Sequence, residues 1–327
     1  MRRALLVGIN DYPNAPLNGC VRDATSLAAV LSTNGDGGPN FATRVLASDT
    51  QVVDQASLMA AVDDLFSAEA DVVLFYFSGH GHLTDTGGVL VTQDSDRAIV
   101  GLSMQELVAK TALAHKLVKS IIVILDCCHS GAAGEASGIL AENVSSLGKG
   151  VILLSASHKN GYAIESGGKG IFTDILIEGL QGAASDILGN ITPASLYSLV
   201  DQTLGPWDQR PVFKANVQAF VSLRTVVPKI PLATLRKLPE WFPSENYVFS
   251  LDPQYEPDRD NVPEAFRYLP HDKQKEDTFL SLQLCNRLGL IVPHEAEHMY
   301  YAAINSTGCR LTALGVHYRK LAELRRI

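Results

Sequence analysis

Short apolar runs rich in β-branched residues alternate with amphipathic helical patterns through the first two-thirds of this chain. That alternation constrains its fold more than any other feature. Ala4–Ile9, Thr43–Ala47, Val72–Phe77, Ser120–Leu125, Val151–Ser155 and Pro211–Val217 read as strands. Val21–Leu31, Gln55–Ala68, Met104–Ala114, Thr173–Gly182 and Pro193–Leu204 read as helices between them. A strand that is apolar at nearly every position must be covered on both faces. The pattern therefore predicts an α/β domain over residues 1–225, with a mostly parallel six-stranded sheet flanked by helices.

The texture changes from Val226. Prolines from Pro228 to Pro270 crowd a segment with little periodicity, so residues 226–272 read as an extended connection wrapping the surface. Residues 273–327 read as a small mixed domain. It has a helix over Asp277–Leu288, a strand through Gly289–Val292, a hairpin over Tyr300–Leu311 turning at Asn305–Gly308, and a closing helix opening at Thr312. That order resembles the end of a winged-helix domain.

No apolar run approaches the ~20 residues that a bilayer crossing needs, so no membrane span is expected. The amino terminus has two arginines and a short apolar run, but it meets Asp11 without a small-residue cleavage site and reads as a first strand, not a signal peptide. The five cysteines are few and odd in number, which argues against a disulfide framework and for a reducing cytoplasm. The net charge of −8 lies in residues 1–228, the remainder being balanced. An acidic excess there disfavours nucleic acid and suits a basic ligand.

Two motifs sit at strand carboxyl ends, the edge of an open α/β sheet where ligands bind. Val72–Phe77 runs into Ser78-Gly79-His80-Gly81-His82, and Ile121–Leu125 runs into Asp126-Cys127-Cys128-His129-Ser130-Gly131. A thiol with an ordinary pKa of ~8.5 is mostly protonated at neutral pH, so nucleophilic use of a cysteine requires a neighbouring base. His80 meets that need. Side chains alternate along a strand, which puts Asp126 and Cys128 on one side, Cys127 into packing on the other, and Ser78 together with His80. Three consecutive side chains, Cys127, Cys128 and His129, cannot converge on one metal ion.

A rival motif is His294-Glu295-Ala296-Glu297-His298, which matches a zinc-peptidase pattern in which two histidines share a helix face and Glu295 serves as general base. Pro293, the charge at Glu297 and the lack of a third ligand nearby favour a solvated turn of the second domain instead.

Ser78-Gly79-His80-Gly81, Asp126-Cys127-Cys128-His129-Ser130-Gly131 and Asn18-Gly19-Cys20-Val21-Arg22-Asp23-Ala24 together resemble metacaspases and related caspase-like cysteine peptidases, over roughly residues 1–220. The resemblance implies a caspase-like sandwich and a Cys128–His80 dyad. It also implies an oxyanion site formed by the backbone N–H groups of Cys128 and Gly81. Asp126 and Asp23 match the acids that bind a basic residue in that family, with Ser78 and Cys20 as lesser lining groups, so the implied partner is a protein or peptide with Arg or Lys before the scissile bond. No organic cofactor is implied. Many metacaspases need calcium, for which Asp94 and Asp96 are the nearest clustered acids here, but two acids in one turn read better as a solvated loop, and no metal is expected. Bacterial relatives often carry extra domains that serve signalling or antiviral defence, which gives the carboxyl-terminal domain a regulatory partner. The rival within the same fold is a catalytically idle binding protein whose tail docks a partner or nucleic acid through Arg310, Arg319, Lys320, Arg325 and Arg326.

Overall fold

A computed structural model of the 327-residue chain describes residues 1–85, 87–96, 98–127, 147–156, 171–204, 211–217, 219–258, 260 and 262–327. They form two compact units, Met1–Val227 and Pro228–Ile327. No helix among the described residues is long and apolar enough to cross a membrane.

The first unit runs β1 (Arg2–Gly8), α1 (Cys20–Ser32), β2 (Ala42–Ala47), α2 (Gln55–Phe66), β3 (Ala70–Gly79), β4 (Gly81–Thr84), β5 (Gly87–Val91), β6 (Gly101–Ser103), α3 (Met104–Ala114) and β7 (Val118–Cys127). It continues with β8 (Val151–Ser155), α4 (Ile171–Glu178), β9 (Asn190–Ile191), α5 (Pro193–Leu204), β10 (Val212–Asn216) and β11 (Arg224–Thr225). The six strands expected from the sequence make one sheet in the order β10-β8-β7-β3-β1-β2. All pairs in it are parallel except β10–β8.

Alternation along these strands builds a core on each face. Val73, Phe75 and Phe77 pack with Leu58, Val62 and Leu65 of α2 and Leu107 of α3, while Leu74 and Tyr76 pack with Leu27 and Leu31 of α1 and Ile175 and Leu176 of α4. Burying each such aliphatic side chain contributes roughly 1.5–3 kcal/mol, which is why strands apolar on both faces declare themselves in sequence. Local chemistry sets the helix starts. Asp54 accepts from Ser57 N at 2.8 Å to cap α2, and Ser103 accepts from Glu106 N at 3.1 Å to cap α3.

The first unit differs from expectation in three places. β3 and β7 each extend two residues beyond their apolar runs, because Ser78 pairs with Asp126 and Gly79 with Cys127 in the same register. The helix expected over Thr173–Gly182 ends at Glu178 in a wider turn, Gly179–Ala183, with Gly182 at φ 136°. A second, antiparallel sheet in the order β4-β5-β6 follows the His80 motif, its strands too short and glycine-rich to show periodicity.

The second unit runs α6 (Leu232–Arg236), α7 (Leu238–Trp241), β12 (Val248–Ser250), α8 (Lys273–Arg287), β13 (Ile291–His294), α9 (Met299–Ile304), β14 (Gly308–Leu311) and α10 (Ala313–Glu323). Residues 226–272, expected as an extended connection, carry α6, α7 and β12. They bury Ile230, Leu235, Leu238, Trp241, Phe242 and Leu251, because prolines at helix starts and between short elements do not prevent packing. The hairpin expected over Tyr300–Leu311 is a helix, α9, followed by β14. The antiparallel partner of β14 is β13, with α9 between them, and β12 completes the sheet on the other side. Arg319, counted in the sequence with the basic cluster that could dock a partner or nucleic acid, is buried, its guanidinium donating to the carbonyls of Phe242 and Pro243.

Candidate active site

The carboxyl ends of β1, β3 and β7 lie side by side. Gly8 pairs with Ser78, Ser78 with Asp126, and Gly79 with Cys127. His80 and Cys128 are the next residues of the two motif strands. Cys128 and His129 lie outside the described residues, so the oxyanion role expected of the Cys128 N–H lies there too. Cys127 is buried in the core that holds Phe77 and Leu125, the packing side that strand alternation predicts for it.

His80 stands just beyond the last paired residue of β3 and is held by the loop between β1 and α1. Its backbone N–H donates to the Tyr12 hydroxyl at 2.9 Å, and that hydroxyl donates in turn to the Val91 carbonyl at 3.1 Å. The two rings lie 4.5 Å apart between centroids, tilted by 54°. Nε2 of His80 is 2.6 Å from the Ala15 carbonyl oxygen. A carbonyl only accepts, so Nε2 carries the proton and Nδ1 is the basic nitrogen, an assignment that rests on this hydrogen bond. Burial pushes the Tyr12 phenol well above its ordinary range, more than the hydrogen bond from His80 lowers it, with Cys20 and Cys127 adding to the rise. The group is therefore a neutral hydroxyl. Asn10 shapes the loop, its carbonyl accepting from Tyr12 N at 3.0 Å and Leu17 N at 2.8 Å, and its Oδ1 from Val21 N at 3.3 Å.

Ser78 and His80 were expected to act from one side. Ser78 keeps the alternation of β3, lying on the Tyr76 side where it offsets part of the rise in the phenol's pKa. His80 rests on Tyr12, which packs in the opposite core, because alternation is lost where pairing stops at Gly79.

Gly81 opens β4. The Val91 N–H donates to the His80 carbonyl at 2.9 Å, which makes His80 and Val91 a hydrogen-bonded pair and Gly81 and Leu90 a non-hydrogen-bonded one. The Gly81 N–H therefore points away from β5 and is not used by that ladder.

Asp23 of α1 and Asp126 of β7 are both nearly inaccessible, at 3% and 9% exposure, and Ser78 and Cys20 are buried with them. The Thr173 hydroxyl at the start of α4 donates to Asp126 Oδ2 at 2.6 Å. Having spent its hydrogen there, Thr173 accepts one from the Tyr76 hydroxyl at 2.7 Å. Burial pushes the Tyr76 phenol far above its usual range, and the charges of Asp126 and then Asp23 push it further. Both carboxylates thus act on the same hydroxyl. α1 begins close against β1, since a Cβ on Gly8 would fall 2.4 Å from the Cys20 carbonyl oxygen, and this approach sets where Cys20 and Asp23 stand.

Tyr12, Tyr76 and Thr173 were not singled out in the sequence. Tyr76 was accessible to that reading, sharing the strand side of Ser78 two residues away. Tyr12 and Thr173 meet their partners only through the fold.

Asp94 and Asp96 are engaged locally. Asp94 accepts from the Thr92 hydroxyl at 2.5 Å and Gln55 N at 3.3 Å, and Asp96 accepts from Asn14 Nδ2 at 3.2 Å. The helical zinc motif is absent. His294 ends β13, Glu295 has φ 53°, and His298 is the N-cap of α9, so no single helix face presents both histidines. Among the described residues, no group of three or more His, Cys, Asp or Glu side chains is placed to hold a metal ion.

A family model for the caspase domain matches residues 1–220. No curated protein matches the chain. Among solved structures, a protein from Geobacter sulfurreducens is similar at 18% identity and a TM-score of 0.51, covering 69% of this chain and 97% of its own. Caspase-1 from Spodoptera frugiperda is similar at 15% identity and a TM-score of 0.50, covering 69% of this chain and 90% of its own. At these identities the structural likeness concerns the fold.

Proposed function

Because this chain belongs to the caspase-domain family, whose members are cysteine endopeptidases, we propose that it hydrolyses peptide bonds after Arg or Lys through Cys128 and His80. The observation that carries the reading is the register of β3 and β7. Gly79 and Cys127 are partners, and the residues next in sequence are an imidazole and a thiol.

In this reading Nδ1 of His80 takes the thiol proton, and the Cys128 thiolate attacks the substrate carbonyl. The charge that gathers on oxygen is met by the N–H groups of Gly81 and Cys128, donors that matter most when the tetrahedral species forms. The imidazolium then protonates the leaving amine. Water, deprotonated by the same nitrogen, hydrolyses the thioester and restores the thiol. Nε2 stays on the Ala15 carbonyl throughout, which keeps Nδ1 as the working nitrogen.

The preference for a cationic side chain rests on Asp126 and Asp23. A guanidinium or ammonium loses its hydration on entering a buried site, and charge-assisted hydrogen bonds to two carboxylates offset that loss. The second unit, which supplies none of these groups, regulates or recruits. The test is turnover of fluorogenic Arg peptides by purified protein, with Cys128→Ala and His80→Ala both expected to be inactive while retaining the wild-type melting temperature. Unchanged turnover in Cys128→Ala rejects the assignment.

A further inference from the structure

Three observations converge on a residue that the dyad itself does not require. The Tyr12 hydroxyl bridges the His80 N–H and the Val91 carbonyl, at 2.9 and 3.1 Å. The Tyr12 ring lies 4.5 Å from the imidazole. Gly79 leaves room for the hydroxyl, since a Cβ there would fall 2.5 Å from it. From these we infer that Tyr12 is a positioning residue for His80, its hydroxyl fixing the backbone of the motif at the β3 end and its ring fixing the plane of the imidazole.

The inference rests on the peptidase reading of His80 and goes beyond it. β3 ends its pairing at Gly79, and among the described residues the backbone of His80 is held from outside the main sheet, its carbonyl by the Val91 N–H at 2.9 Å and its N–H by Tyr12. Among the described residues its side chain has one hydrogen-bond anchor, the Ala15 carbonyl at 2.6 Å, and one anchor leaves rotation about that contact. Tyr12 supplies two more, a hydrogen bond to the main chain and a tilted ring–ring contact. Both Tyr12 and Ala15 lie in the loop that Asn10 ties to Leu17 and Val21, so three contacts on one histidine come from one short, internally bonded segment. Proton transfer depends steeply on where the imidazole stands, and a displacement near 1 Å costs on the order of a hundredfold in rate. A group that only positions the base changes the chemical step and leaves substrate binding alone.

The experiment compares wild type, Tyr12→Phe, Tyr12→Leu and Gly79→Ala for kcat and KM on an Arg peptide, and for the rate at which iodoacetamide alkylates Cys128 without substrate. Tyr12→Phe keeps the ring and loses the hydroxyl, and is expected to lower kcat about tenfold with KM within about twofold. Tyr12→Leu is expected to lower kcat further and to slow alkylation. Gly79→Ala leaves Tyr12 in place but displaces its hydroxyl, and is expected to lower kcat at least as much as Tyr12→Phe, which keeps the test open should Tyr12→Phe not fold. Wild-type kcat in folded Tyr12→Phe or Gly79→Ala overturns the inference, as does a rise in KM with kcat unchanged. Absence of His80-dependent turnover in the wild type is a separate result, which overturns the peptidase reading and this inference with it.

Discussion

Thr173 donates its hydroxyl hydrogen to Oδ2 of Asp126 across 2.6 Å, and the Tyr76 hydroxyl stands behind it at 2.7 Å. The chain of three buried groups begins in the middle of the sheet and ends on a carboxylate at its carboxyl-terminal edge. Hydrogen bonds to a charged acceptor are worth about 1.5–3 kcal/mol, and removing the donor leaves the acceptor misaligned as well as weakened. Thr173→Val, equal in shape and lacking the hydroxyl, is therefore expected to raise KM for an Arg peptide about tenfold with little change in kcat. Tyr76→Phe acts one bond further away and should raise it about two- to threefold. Steady-state kinetics on folded variants check both, and an unchanged KM in Thr173→Val means that Asp126 does not hold the substrate cation.

Two acids facing one buried hydroxyl should also set selectivity. Peptides that differ only in Arg, Lys or Asp before the scissile bond should be cleaved in the order Arg, Lys and then Asp, the last below detection. A third carboxylate would have to enter a site that already holds Asp23 and Asp126, and like charges in a partly buried site disfavour ionisation. Asp126→Ala and Asp23→Ala should each narrow the gap between Arg and Asp peptides. Preference for Asp in the wild type would refute the cationic pocket.

Thiol reactivity separates the cysteines without any substrate. Burial pushes Cys285 and Cys309 up to about 12, so both stay protonated and unreactive at pH 8. Cys20 and Cys127 are buried as well. Ellman titration of native protein is expected to show a single fast thiol, lost in Cys128→Ala and kept in Cys127→Ala. The latter should cost about 1 kcal/mol of stability through lost packing. A fast thiol that survives Cys128→Ala would move the nucleophile elsewhere.

Gly8 is where β1 admits α1, and the Cys20 carbonyl at 2.4 Å from a virtual Cβ is backbone that cannot swing aside. Gly8→Ala is expected to destabilise the protein by roughly 1–3 kcal/mol, the range for overpacking a close contact. It should also weaken Arg-peptide binding, because Cys20 and Asp23 ride on the displaced helix. Urea unfolding read with KM tests the pair of effects, and a stable variant with normal KM shows that α1 can shift at no cost.

The sequence alone determined the strands of the main sheet, the helices covering it, and the two motifs at neighbouring strand ends. It could do so because apolar periodicity and local capping, as at Asp54 and Ser103, are set by residues a few positions apart. It did not reveal the β4–β6 sheet or α9, whose elements are too short to carry a period, and it misread residues 226–272, where proline density hid packed elements. The contacts that give His80 and Asp126 their settings belong to the tertiary structure alone. Tyr12 reaches His80 across 68 positions and Thr173 reaches Asp126 across 47. Strand register and the seating of α1 and α4 against each other on one face of the sheet decide such meetings, and neither leaves a trace in the neighbours of any one residue.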